Sequence, residues 1–181
     1  LLVQDLAAPV IRSCLADAGL GSQDVDEVIL SNALGGGGNP ARVAALAAGL
    51  PETVAGLSID RQCAGGLDAI LLARALVESG AARIVVAGGA ESYSRRPIRL
   101  ATDPDGGPAL PYDRPAFSPF PDRDPDLHLA AWHLAQGLGF SRTQMDAWAI
   151  SSHAKAMAAR SRLMAEIVPV AGLSFDAFTR A

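Results

Sequence analysis

Leu6, Val10, Ile11, Cys14, Leu15 and Ala18 recur at spacings of three and four residues. That period predicts an amphipathic helix, with Gly19 as its stop. Pro9 falls inside the pattern, so the helix is expected to start or kink there. The run 27–31, Glu-Val-Ile-Leu-Ser, reads as a short buried strand. The four glycines 35–38 read as a tight connection, after which Asn39 can cap a helix with Pro40 in its first position. That helix is expected to reach Ala48. Residues 57–61 read as a second strand and 83–87 as a third, closed by Gly88 and Gly89. Between them, Ala64 to Ser79 predicts a long helix charged only at Asp68, Arg74 and Glu78. A helix apolar on nearly every side is expected to be buried all round. Strand and helix alternate, which predicts βαβ units and a parallel sheet, an α/β fold.

The pattern changes after Ser94. Seven of the twelve prolines lie between Asp103 and Asp126, among Asp, Gly and Arg, so an extended loop without regular elements is expected there. Helical periodicity returns over 127–136. Ser141-Arg142-Thr143-Gln144 has the form of a capping box that opens a further helix reaching about Ala159. Residues 166–170 read as a short extended segment. The chain thus divides into a sheet-and-helix core, 1–94, and a loop-rich helical extension, 95–181.

With 181 residues, 50% of them apolar, the chain is long enough to bury a core. Its 35 alanines and 18 glycines suit close approach of helices to a sheet. The net charge of −4 argues against a nucleic-acid groove or a polybasic membrane patch. No apolar run reaches the ~18 residues of a membrane span. Two cysteines without CxxC spacing or a Cys/His cluster give no metal site, and a soluble, cytoplasmic protein is the expectation.

Cys63 is the residue with the most chemistry in its position. It lies between a strand and the start of a helix, where unpaired N–H groups favour an anion, and the thiolate is the nucleophilic form of cysteine. Its backbone N–H could also stabilise an oxyanion. Gly65 and Gly66 are expected to leave room for a substrate beside the backbone. The competing reading of any lone cysteine is a small core residue. That reading is assigned to Cys14, on the helix face of Ile11, Leu15 and Ala18. His128, His133 and His153 all lie in the extension and are expected to be solvated helix-surface residues.

Residues 60–70, Asp-Arg-Gln-Cys-Ala-Gly-Gly-Leu-Asp-Ala-Ile, closely resemble the nucleophile segment of thiolases. Asn39-Pro40-Ala41-Arg42, the Gly88-Gly89-Ala90-Glu91-Ser92 turn, 139–153 with Gly139-Phe140-Ser141-Arg142 and Ser152-His153, and 166–170 follow in the family's order. The resemblance implies a layered α-β-α thiolase fold, N-terminal half only, without the family's first strand. It implies acyl transfer between coenzyme A thioesters through a cysteine acyl-enzyme, as Claisen condensation or its thiolytic reverse. Cys63 would be the acyl-accepting nucleophile. Leu127, where the family often has methionine, would line the acyl or pantetheine pocket. Acyl-CoA and acetyl-CoA are then substrates, and no resident cofactor or metal is implied. A homodimer or homotetramer is expected, as is dependence on a C-terminal half that holds the histidine and the second cysteine.

The chain departs from the pattern in places. The usual hydroxyl residue two after the cysteine is Gly65 here. The Asn, Ser or Thr three before it is Asp60, and the family's Ala-Glu-Asn is Ala131-Trp132-His133. The alternatives are a non-catalytic thiolase-like subunit or scaffold, and a ketoacyl-synthase relative.

Overall fold

The computed structural model describes residues 1–179. The chain forms two compact units, Leu1–Pro97 and the residues from Ile98 onward.

The first unit is a three-stranded parallel sheet with helices on both faces. Its elements run α1 (Val3–Asp17), β1 (Glu27–Ser31), α2 (Pro40–Ala47), β2 (Ala55–Ile59), α3 (Gly65–Glu78) and β3 (Val85–Gly89). The strand order is β2-β1-β3, with β1 in the centre. Burial on both faces explains why β1 reads as a continuous apolar run. Val28 and Leu30 face the larger core, built with Ala7, Ile11 and Leu15 of α1 and Ala41, Ala44 and Ala45 of α2. Ile29 points the other way, onto Ala69 and Ala73 of α3. The register aligns Ser31 with Ile59 and Gly89, so these three residues form one row at the C-terminal ends of the strands.

The alanines let α2 approach the sheet closely. A Cβ on Gly56 of β2 would lie 2.6 Å from both the Cα and the backbone nitrogen of Arg42. Asn39 fixes the start of α2. Its Oδ1 accepts from the Arg42 N–H at 3.1 Å and from the Ser58 hydroxyl at 2.7 Å, while its Nδ2 donates to the Gly56 carbonyl at 2.7 Å.

Several expectations change, each for a local reason. Helix α1 starts at Val3 and continues through Pro9, because only one internal hydrogen bond is forfeited there while Ala7, Ala8, Ile11 and Leu15 bury one face. Cys14 is exposed, not a core residue: it lies outside the stripe that Ile11 and Leu15 bury. Strand β2 sits two residues earlier than predicted, since the Asp60 carboxylate takes the Gln62 N–H and turns the chain. Strand β3 sits two residues later. The Asp26 carboxylate captures the N–H groups of Arg83 and Ile84, and the ladder begins at Val85. Helix α3 is not buried all round. Gly65, Ala69 and Ala73 form its buried stripe, and Leu67, Ile70 and Leu71 on its other faces are more than half exposed.

In the second unit, the proline-rich segment is not wholly irregular. Strand β4 (Arg99–Ala101) pairs antiparallel with β5 (Leu110–Tyr112), and Pro121–Arg123 forms a 3₁₀ turn. Pro111 fits because a two-stranded ribbon leaves alternate N–H groups without a ladder partner. Helix α4 (Leu127–Gly137) is capped by Asp126, whose Oδ1 accepts from the His128 and Leu129 N–H groups at 2.9 and 3.2 Å. Helix α5 (Arg142–Ala158) starts at the predicted Ser141–Gln144 capping box, and α6 (Arg160–Met164) follows. The expected extended segment near 166–170 reduces to one bridge between Val170 and Leu173. None of the described residues from Ile98 onward is buried.

Candidate active site

Cys63 lies on a 3₁₀ turn, Gln62–Ala64, that leads directly into α3. The helix therefore starts one residue later than predicted, and the thiol sits just ahead of its mouth. The turn is forced. Gln62 has φ +49, a left-handed conformation rare for a residue with a side chain. Two contacts hold it. Asp60 Oδ1 accepts the Gln62 backbone N–H at 2.8 Å, and the Arg61 guanidinium pairs with Asp68 of α3 at 3.0 Å. Asp, like Asn, Ser and Thr, offers a short side-chain acceptor for a backbone N–H two residues on, and Asp60 uses it here.

The turn forms one wall of a cavity of about 400 Å³. Cys63, Gln62 and Gly66 line it from the α3 side, Ser31 and Leu34 from the end of β1, and Gly89 and Glu91 from the end of β3. It thus opens at the C-terminal ends of parallel strands, where α/β sheets bind ligands. The Cys63 side chain is exposed.

Glu91 shapes the opposite wall. Its Oε2 accepts from the backbone N–H groups of Ala33 and Leu34 at 2.8 and 3.0 Å, and its Oε1 accepts from Asn32 Nδ2 at 2.9 Å. The same Nδ2 donates to the Ala90 carbonyl at 2.9 Å. The sequence marks Glu91 only as part of a recurring turn. Its partners are 57 to 59 residues away, and nothing local announces them.

The two glycines after the cysteine have different reasons. Gly66 faces open space in the cavity, as predicted for a residue beside a substrate. Gly65 does not. A Cβ there would lie 1.8 Å from Ser31 Oγ, so the glycine serves the contact between α3 and β1.

Leu127 is the exposed first residue of α4 in the second unit. His128 and His133 are exposed on the same helix and His153 is half-buried on α5. Among the described residues no group of three or more His, Cys, Asp or Glu could hold a metal ion. Among them, too, no helix is long and apolar enough to cross a membrane.

Comparison with known proteins agrees with the α/β fold. The family description "Thiolase, N-terminal domain" matches residues 1–179. A Bacillus subtilis (strain 168) protein, provisionally named acetyl-CoA C-acetyltransferase YhfS, is 45% identical over 152 residues, covering 84% of this chain and 37% of its own length. The crystal structure of the Bacillus anthracis acetyl-CoA acetyltransferase superposes with a TM-score of 0.79 at 32% identity, over 92% of this chain and 44% of that one. The Acat5 thiolase from Ascaris suum, solved in complex with coenzyme A, superposes with a TM-score of 0.80 at 27% identity, over 94% and 46%. The chain spans less than half the length of each of these relatives. With its motifs, its α-β-α layers and its match to the N-terminal domain in agreement, the chain belongs to the thiolase family.

Proposed function

We propose that this chain provides the acyl-accepting site of a thiolase-type acyltransferase, with Cys63 as nucleophile. The carrying observation is an exposed thiol on a strained turn at the head of α3, opening into a cavity at the strand ends. The Cys63 thiolate attacks the carbonyl carbon of an acyl-CoA. A new C–S bond to Cys63 forms, the bond to coenzyme A breaks, and coenzyme A leaves as the thiolate that takes up the proton Cys63 gave up. The Cys63 backbone N–H is assigned to the oxyanion of the tetrahedral intermediate. Carbon–carbon bond formation, or its thiolytic reverse, then draws on the base and histidine of a C-terminal half. The exposed Leu67, Ile70 and Leu71 of α3 support that arrangement: they offer that half an apolar face. Acyl-CoA and acetyl-CoA as substrates, Leu127 at the acyl or pantetheine pocket, a cytoplasmic location, a role in fatty acid metabolism and a homodimer or homotetramer belong to the same reading.

The test is to trap the acyl-enzyme. The protein expressed from its whole gene is mixed with acetyl-CoA, quenched in acid and mapped by mass spectrometry. Acetyl on the peptide that holds Cys63 is expected. Because Cys14 is exposed as well, acetyl on Cys14 and never on Cys63 overturns the assignment.

A further inference from the structure

The hydroxyl that thiolases usually carry two residues after the cysteine is absent from this chain, but its space is not empty. Ser31 fills it. The Cβ that any side chain at position 65 needs would lie 1.8 Å from Ser31 Oγ and 2.7 Å from Ser31 Cβ. The placement follows from the sheet. Ser31 shares the face of Ile29, two residues earlier on β1, and that face packs against α3. Its neighbour in register on β3 is Gly89, which has no side chain to screen it.

Ser31 is 9% exposed and lines the cavity together with Cys63. None of the described hydrogen bonds uses its hydroxyl, and among the described residues no sealed polar side-chain atom lacks a partner. The Oγ is therefore not sealed off, and it belongs to a residue of the cavity wall. Of the other polar side chains on the wall, the Glu91 carboxylate is engaged by three donors and the Gln62 amide donates to the Asp60 carboxylate at 3.4 and 3.5 Å. Ser31 is thus a neutral donor in the central strand whose hydroxyl none of the described hydrogen bonds uses. A neutral donor in that position suits a carbonyl oxygen.

We propose that Ser31 donates a hydrogen bond to the carbonyl oxygen of the acyl group brought to Cys63, supplying from β1 the hydroxyl that position 65 lacks. The inference rests on Cys63 as nucleophile, and the test separates the two. It uses the protein expressed from its whole gene and reads two rates at the Cys63 peptide: acetylation by acetyl-CoA, and modification by methyl methanethiosulfonate, a thiol reagent with no carbonyl. Ser31→Ala is expected to slow acetylation about tenfold, the worth of one such hydrogen bond, and to leave the thiosulfonate rate unchanged. The double swap Ser31→Gly with Gly65→Ser returns a hydroxyl to the same volume and is expected to recover acetylation to within about threefold. Unchanged acetylation in Ser31→Ala overturns the inference. So does an equal fall in both rates, which would make Ser31 a packing residue only. Acetylation that persists at full rate in Cys63→Ala instead removes the nucleophile assignment on which the inference stands.

Discussion

Asn32 Nδ2 donates to Glu91 Oε1 at 2.9 Å, linking the turn that leaves β1 to the turn that leaves β3. With the two backbone bonds from Ala33 and Leu34, this makes one carboxylate the fastener of two loops that line the cavity. Glu91→Gln keeps the size of the side chain but turns an amide NH₂ toward N–H donors. The expected result is a loss of about 1–2 kcal/mol in unfolding free energy, on the scale of charged hydrogen bonds at a partly exposed site. Acetylation of Cys63 should fall with it. Chemical denaturation beside the trapping assay measures both, and equal stability of variant and parent would refute the fastening role.

At Gly56 the backbone of α2 comes directly against the sheet. Gly56→Ala places a methyl 2.6 Å from the Arg42 backbone, where no side chain can swing aside. A cost of about 3 kcal/mol is expected, at the upper end of overpacking effects. A thermal melt within a degree of the parent would contradict this.

The Asp26 carboxyl is held below its ordinary value of 3.8, chiefly by the hydrogen bonds from the Arg83 and Ile84 backbone N–H groups. A depressed carboxyl pKa means the folded state favours the ionised form. The stabilisation is full above 3.8 and disappears as the pH falls through the lower folded value. Asp26→Asn should therefore be less stable than the parent at pH 7, and the gap should close towards pH 2. Urea midpoints across that range give the comparison; a gap that widens in acid would reverse the sign.

The outward face of α3 gives a fourth prediction. Leu71 is 51% exposed. On a solvated face, Leu71→Ser changes stability by no more than about 0.5 kcal/mol. Covered by a C-terminal half, the same change costs about 2 kcal/mol. The larger loss is expected in the protein expressed from its whole gene, and the smaller one would show that this face stays in water.

Much of the fold is legible in the sequence because its signals are local. The apolar run of β1, the Asn39–Pro40 start of α2 and the Ser141 capping box each carry their cause within a few residues. Errors arose where a distant group intervened. Asp26 takes the two N–H groups that would have started β3 at Arg83. Pro9 is overridden by burial of α1 on the sheet. The apolar character of α3 was read correctly, but one sheet covers only one of its faces. Cys63 could be singled out because strand, turn and helix meet there in sequence. Ser31 could not. It looks like the polar end of a strand, and only the packing of β1 on α3 brings it to residue 65.

The left-handed backbone at Gln62 has a kinetic consequence. An unfavourable torsion beside the Cys63 sulfur is braced by the Asp60 hydrogen bond and by the Arg61–Asp68 pair. The aim of that atom is set once, when the chain folds. On the proposed role of Cys63, a thioester arriving in the cavity would meet a target already fixed by the fold.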